Sequence, residues 1–223
     1  MSVAAEEYRR ALGSLRLPGF ATPGPGRPFV VAIEGPNGAG KTTLCHALSE
    51  RLNAPCCLGT DEAWFTENFK VRMIRDADWY ASAMFFLSGC FEQMRLISDR
   101  SEPLVIMDRC LWSTLAVHAA ESIERLKALL AMLKPIASEI QIPQFTVILE
   151  ATFQTCQSRI ARKPAAARAL DELTARTEFH AREQVFYRWL MEQEPEVELV
   201  DVNEVGPEEV ANKVQAILRR HPC

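Results

Sequence analysis

The chain has no apolar stretch approaching the roughly 18–20 residues that cross a bilayer, so no transmembrane segment is expected in its 223 residues. Its N-terminus lacks an apolar signal core and carries Glu6 and Glu7, which argues against a secretory or transit peptide. There is no long basic run, and the formal net charge is −4, so no nucleic-acid-binding surface is expected. The seven cysteines are an odd count without metal-ligand spacing, which fits reduced thiols in a cytoplasmic protein. Cys56-Cys57 lies in the apolar run from Pro55 to Leu58 and reads as strand filling. No internal repeat is present. What remains is a composition ordinary for a soluble globule, 48% hydrophobic and 24% charged, at a length that one α/β domain fills.

Against those absences stands Gly35-Pro36-Asn37-Gly38-Ala39-Gly40-Lys41-Thr42, which fits the phosphate-binding pattern G-x-x-x-x-G-K-[ST]. Phe29-Val30-Val31-Ala32-Ile33 precedes it as an apolar, β-branched run expected to be a buried parallel strand. Thr43 and the helical spacing of Leu44, Ala47, Leu48 and Leu52 follow it. Strand, glycine-rich turn and helix start form a nest of backbone N–H groups at a positive dipole end. Such a nest, with residues 37–43, would bind a nucleoside triphosphate, Lys41 reaching its β- and γ-phosphates and the Thr42 hydroxyl holding Mg²⁺.

The rest of the chain alternates strand and helix. Residues 1–28 read as an N-terminal extension, a short helical pattern followed by a Pro/Gly-rich linker, and residues 29–223 as the domain that carries the phosphate-binding loop. Strands are expected at 29–34, 55–58, 104–108, 144–149 and 197–202. Helical patterns lie near 41–53, 77–99, 111–138 (with room for a break), 152–162, 171–193 and 207–220. This order predicts an α/β three-layer sandwich, a five-stranded parallel sheet with helices on both faces. In the 77–99 helix two stripes read as core, one through Trp79, Ala83, Phe86, Cys90 and Ile97, the other through Tyr80, Met84, Leu87 and Phe91. Phe85 and Gly89 fall on the remaining side. Phe85 is either a partly exposed or dimer-contacting ring or a platform on which a base stacks, with Gly89 leaving it space.

Two further features carry chemistry. Leu104 to Met107 ends in Asp108-Arg109, at the carboxyl end of a strand expected beside the loop. Asp108 can orient Mg²⁺ or its waters, and Arg109 can hold an anionic acceptor; the plain alternative is a strand-end ion pair. Phosphoryl transfer needs positive charge on the transferring group, and positions 36–39 supply none. Arg159, Arg162, Lys163 and Arg168 are the nearest source, either as a solvated helix face or as a short helical lid over about 159–170 that closes on the donor and excludes water.

Together these residues resemble the thymidylate-kinase-like nucleoside monophosphate kinases, a P-loop kinase family. The resemblance rests on Ile33 to Thr43, on Asp108-Arg109-Cys110-Leu111-Trp112-Ser113, and more loosely on Phe179-His180-Ala181-Arg182 with Tyr187. It implies transfer of the ATP γ-phosphoryl to a nucleotide, Mg²⁺ as metal, and commonly a homodimer. By position it implies Lys41, Asp108, Arg109 and Arg162 as catalytic residues, and Phe85, Ser113 and His118 at the acceptor base. Where that family usually has an acid contacting the sugar this chain has Asn37, and where it has an arginine four residues after the stacking Phe this chain has Gly89. The Phe-to-Gly spacing resembles the mitochondrial UMP/CMP kinase branch. The acceptor expected is thus a pyrimidine or modified pyrimidine monophosphate of dTMP, UMP or CMP type. Two other readings stay open. One is a kinase acting on a hydroxyl, with Asp61 or Glu62 just past the second strand accepting its proton. The other is a nucleotide-dependent switch with slow hydrolysis.

Overall fold

Five aliphatic, β-branched runs become strands: β1 (Phe29–Glu34), β2 (Cys56–Leu58), β3 (Leu104–Asp108), β4 (Phe145–Glu150) and β5 (Val197–Asp201). In the computed structural model, which describes residues 3–58, 67–165, 168 and 171–221, they form one parallel sheet in the order β2-β3-β1-β4-β5. Val31 of the central β1 stands opposite Ile106 on one side and Phe145 on the other. The chain leaves β1 toward β2, returns through β3, and then crosses to β4. The crevice between the carboxyl ends of β1 and β3 is therefore the point where the winding reverses, the place where open α/β sheets bind ligands.

Side chains alternate across the strands and feed two cores. Val31, Ile33, Ile106, Phe145, Val147 and Leu149 face α2 (Lys41–Leu52) and α9 (Pro207–Leu218), through Leu44, Leu48, Ala211 and Val214. Val30, Ala32, Val105, Met107 and Ile148 face a thicker layer on the other side. That layer contains α4 (Trp79–Ser98), α5 (Leu111–Glu121), α6 (Ile123–Leu133) and α8 (Thr177–Gln193). The expected three-layer α/β sandwich is what forms. Short helices α3 (Glu67–Arg75) and α7 (Phe153–Ile160) complete the described set with α1 (Val3–Gly13).

Several local expectations change. The 111–138 pattern breaks at Ser122, whose extended backbone (φ −162°, ψ 130°) ends α5 while its hydroxyl accepts the Glu124 N–H to cap α6. A 3₁₀ turn, Lys134–Glu139, then carries Pro135 in its first turn. The 171–193 pattern is a 3₁₀ turn (Glu172–Thr174), two non-helical residues, and then α8. In α4 the buried face runs through Ala83, Phe85, Leu87, Gly89, Cys90 and Gln93, so Phe85 is buried, not off the core, while Tyr80 is exposed. Asp61 and Glu62, and residues 166, 167, 169 and 170 of the expected lid, lie outside the described residues.

Residues read as an extension also add to the core. Helix α1 packs on α8 and α6 and buries Tyr8 and Leu12, Leu12 to 1% exposure. The Pro/Gly-rich segment behind it is pinned at Ala21, which exchanges backbone hydrogen bonds with Ile140 and Ile142 (2.9 and 2.8 Å). Leu12→Ala should therefore cost about 2–4 kcal/mol in urea unfolding. A loss below about 0.5 kcal/mol, the range of ordinary surface changes, would place α1 outside the cooperative unit.

Candidate active site

Residues 35–42 run from the end of β1 to the start of α2. Gly35 (φ +132°) and Gly38 (φ +84°) are required there twice over, by backbone sign and by space. A Cβ on Gly35 would stand 2.5 Å from the Leu149 carbonyl oxygen of β4, and one on Gly38 would stand 2.6 Å from that of Cys156 in α7. The loop is thus clamped between β4 and α7. Arg159 of α7 adds a brace, donating to Ala39 O and to Val202 O, each at 2.8 Å. Helix α2 opens after Gly40 with no side-chain cap, so its first N–H groups face the loop's concavity.

Lys41 is buried and folded back, its ammonium donating to Gly35 O and Pro36 O at 2.7 Å each. Burial, with the nearby Arg109 charge, pushes its pKa down to about 8 against the pull of Asp108, Glu183 and Glu34. The Thr42 hydroxyl donates to Asp108 Oδ2 at 2.6 Å. The other oxygen, Asp108 Oδ1, is buried with no partner among the described residues. A hydroxyl and a half-engaged carboxylate side by side are hard oxygen donors of the kind Mg²⁺ takes through one or two protein groups, so the chain fits the metal that kinase chemistry uses.

The centre of the site is Glu34, the last residue of β1 and fully buried. Its Oε1 accepts from the backbone N–H of Cys110 (2.8 Å) and Ser113 (3.1 Å) and from the Cys110 thiol (3.3 Å). Its Oε2 accepts from the Ser113 hydroxyl (2.5 Å) and the Tyr187 hydroxyl (3.3 Å). Two of these donors are N-terminal N–H groups of α5, so a strand-end acid caps the next helix over. Between them Arg109 adopts φ +71°, its N–H donating to Ile33 O at 3.1 Å. Its guanidinium donates to Ser113 Oγ at 3.0 Å and Asn37 Oδ1 at 2.5 Å. Burial opposes that charge, but Glu34, Tyr187, Asp108 and Glu183 outweigh it and raise the Arg109 pKa.

Asn37, Lys41, Thr42, Asp108, Arg109 and Ser113, expected from the sequence, thus converge at the switch point. Glu34, Glu183 and Thr174 join them and were not singled out by sequence reading. Only Glu34 left a signal there, as a lone acid closing an otherwise apolar strand. Glu183 of α8 is buried beside Lys41 and Arg109; burial raises its pKa to about 7, opposed by those two cations and aided by Glu34. Thr174 accepts a hydrogen bond from Asn37 Nδ2 at 3.0 Å. The cations of the segment expected as a lid separate: Lys163 pairs with Asp171 (2.7 Å) and Arg168 with Glu172 (3.1 Å). Arg162 stands exposed without an ion pair to any described residue. Thr43 is exposed on the first turn of α2. Phe85 lies edge-to-face with Phe69 of α3 at 5.4 Å, and Gly89 is buried one turn on. His118, further along α5, is buried against Trp79 (5.8 Å) with Nδ1 unpartnered among the described residues. Burial, with Arg125 nearby, pushes its pKa down to about 4.

A parallel sheet with a glycine-rich loop at its switch point, a loop lysine and an Asp-Arg pair on the adjacent strand defines an α/β nucleotide-kinase fold. The chain belongs to the deoxynucleoside kinase family, whose model matches residues 31–219. It is 27% identical over 203 residues to the deoxyguanosine kinase of Bacillus subtilis, covering 83% of this chain and 91% of that one. To a probable thymidylate kinase of Sulfolobus acidocaldarius it is 23% identical over 141 residues, 60% of this chain and 70% of the other. Among solved structures, thymidylate kinase from Candida albicans superposes with a TM-score of 0.67 at 18% identity, covering 87% of this chain and 92% of that one. A deoxyadenosine kinase from M. mycoides with bound dATP gives 0.65 at 15%, covering 85% and 99%. At those identities the structures speak for the fold. The chain is a kinase acting on a nucleoside or nucleotide.

Glu183 provides a pH test. Its folded pKa near 7 lies above the ordinary 4.5, so between these values the folded chain holds a proton that the unfolded chain has released. Its contribution to stability is therefore present at low pH and is lost as pH rises through 7. Glu183→Gln should gain on the wild type between pH 5 and 8 in paired thermal melts, by at least ~2–4 °C, or about 1 kcal/mol for a chain this size. Parallel curves would mean that Glu183 does not titrate in this range.

Proposed function

We propose that the protein transfers the γ-phosphoryl group of ATP to a hydroxyl of a deoxynucleoside. The observation that carries this reading is the charge arrangement around Arg109. Three buried acids (Glu34, Asp108 and Glu183) surround Lys41 and Arg109, and the Arg109 guanidinium is oriented by a neutral amide and a neutral hydroxyl. Two further cations, Arg72 and Arg75 of α3, are exposed. A site this rich in acids suits a neutral acceptor better than a phosphate dianion. The family model and a relative aligned over most of both chains, whose name is that of a nucleoside kinase, favour the same acceptor.

In this reading Lys41 turns from the Gly35 and Pro36 carbonyls to the donor phosphates, which the N–H groups of residues 38–43 cradle. Thr42 and Asp108 hold Mg²⁺, which supplies positive charge against the phosphate oxygens. Arg109 faces the acceptor from the end of β3, and Arg162, exposed and without an ion pair to any described residue, is a lid cation available to the transferring group. A hydroxyl acceptor gives up a proton, and Asp61 or Glu62, which follow β2 in the chain, is the carboxylate to accept it. A second reading keeps the monophosphate acceptor; the thymidylate kinases among the relatives and structural neighbours favour it. In that case Arg109 grips the acceptor phosphate and no strong base is needed.

ADP release measured against free deoxynucleosides and their monophosphates separates the two. The expected outcome is turnover with deoxynucleosides; turnover with monophosphates alone overturns it. Lys41→Ala should abolish turnover with every acceptor. Either Asp61→Asn or Glu62→Gln should lower kcat about 10²–10⁴-fold, the usual worth of a general base, with KM for ATP unchanged. Full activity in both would remove the proposed base.

A further inference from the structure

We infer that Asn37 and Thr174 are positioning residues that tie the aim of the Arg109 guanidinium to the seating of the lid's C-terminal root. The inference rests on Arg109 serving the acceptor and on the proposed role of the 159–170 segment as a lid. It starts from a chain of hydrogen bonds whose direction is fixed at every link. Arg109 can only donate, so it requires the carbonyl end of the Asn37 amide, which it meets at 2.5 Å. That requirement turns the Asn37 NH₂ outward to Thr174 Oγ1, at 3.0 Å. Thr174 accepts there because its own hydroxyl hydrogen is given to the Asp171 carbonyl at 3.2 Å. The Asp171 carboxylate is held in turn by Lys163 at 2.7 Å.

The chain therefore joins the end of α7, the 3₁₀ turn Glu172–Thr174, the glycine-rich loop and the end of β3. Its two long links bridge 72 and 137 residues of sequence. Arg109 sits in the left-handed region (φ +71°), a conformation that surrounding contacts must hold in place. Its guanidinium has two neutral partners among the described residues, Ser113 and Asn37. Ser113 is fixed by Glu34 irrespective of the lid. Among the described residues, Asn37 is fixed on its far side by Thr174 alone. A lid that opened by carrying Thr174 and Asp171 away would take from the Asn37 amide the bond that orients it, and would leave Arg109 one partner of two. The acceptor arginine is thus fully aimed only when the lid root is seated, which joins acceptor capture to exclusion of water from the donor.

The test uses steady-state kinetics of the full chain, with whichever acceptor the wild type turns over. Thr174→Val keeps the shape and removes the acceptor oxygen. It should raise KM for the acceptor about tenfold, the worth of one lost hydrogen bond, and leave KM for ATP within about twofold; Thr174→Ser should restore both. Asn37→Ala should raise KM for the acceptor as well, and adding Thr174→Val to it should cost nothing further, because the two act through one bond. Additive effects, or an equal rise in both KM values, would overturn the coupling. Should Asn37→Ala be inactive, the Thr174→Val and Thr174→Ser pair decides alone. Arg109→Ala separates the premise: if it leaves KM for the acceptor unchanged, Arg109 does not serve the acceptor; if it raises that KM while Thr174→Val does not, only the coupling fails.

Discussion

Everything at the reacting end of the sheet hangs on one buried carboxylate. Glu34 has no exposed surface, and an ionised acid in such a place costs several kcal/mol unless its oxygens are met. Here they are met by two backbone N–H groups, a thiol and two hydroxyls, drawn from the start of α5 and the middle of α8. Charge-assisted bonds of this kind contribute about 1.5–3 kcal/mol each. The same bonds weld β1 to α5, and so settle where β3 must end and how the chain leaves it. The left-handed turn at Arg109 lies inside that weld, with its N–H returned to Ile33 of β1. Removing the Glu34 carboxylate would thus release the strained arginine and leave five polar donors facing each other.

The strands and most helices were legible because their signals are local. An aliphatic run such as Leu104–Asp108 can bury both faces only within a parallel sheet, and its two ends in the structure coincide with those expected. The glycine-rich loop was legible for a similar reason, since its pattern follows from backbone geometry at a helix start. What failed to show in the sequence depends on distant chain. The face of α4 was assigned by periodicity alone, yet α3 brings Phe69 against Phe85 and makes a buried ring of one expected on the solvent side. Helix α1 read as an extension because a Pro/Gly-rich stretch separates it from β1, but separation along the chain did not keep Leu12 out of the core. The break at Ser122 was only half legible: nothing on either side of it lowers helical propensity, and the serine acts by capping the next helix.

The site shows the same division. Lys41, Thr42, Asp108 and Arg109 announced themselves as residue types in a known order. Glu34 stood in plain view at the end of an apolar strand, where a lone acid asks for partners. Glu183 and Thr174 carry no such mark, being ordinary residues of a polar helix and a turn, and folding alone delivers them to the loop. The lid cluster was legible as charge but not as individual roles. Arg159 is held by two carbonyls of the loop and β5 side, and Lys163 and Arg168 by acids behind them, so one run of like charges divides into a brace, two tethers and, among the described residues, one cation without an ion pair.

The asparagine in the glycine-rich loop gathers these threads. An acid at that position would accept from Arg109 at least as well as the amide does. It would also place a fourth carboxylate beside Glu34, Asp108 and Glu183, with only Lys41 and Arg109 to answer them. Glu183 is already pushed up to about 7 by burial in that company, which shows how little further negative charge the pocket holds. A fourth acid would drive one of the set to protonate or would neutralise the guanidinium outright. The neutral amide instead gives Arg109 a partner without cancelling its charge, and its second end reaches Thr174. Positive charge therefore survives at the end of β3, where transfer needs it, in a pocket whose other ionisable groups are mostly acids. The same substitution withdraws from position 37 the acid that would otherwise contact an acceptor sugar, because both ends of its amide are already occupied within the protein.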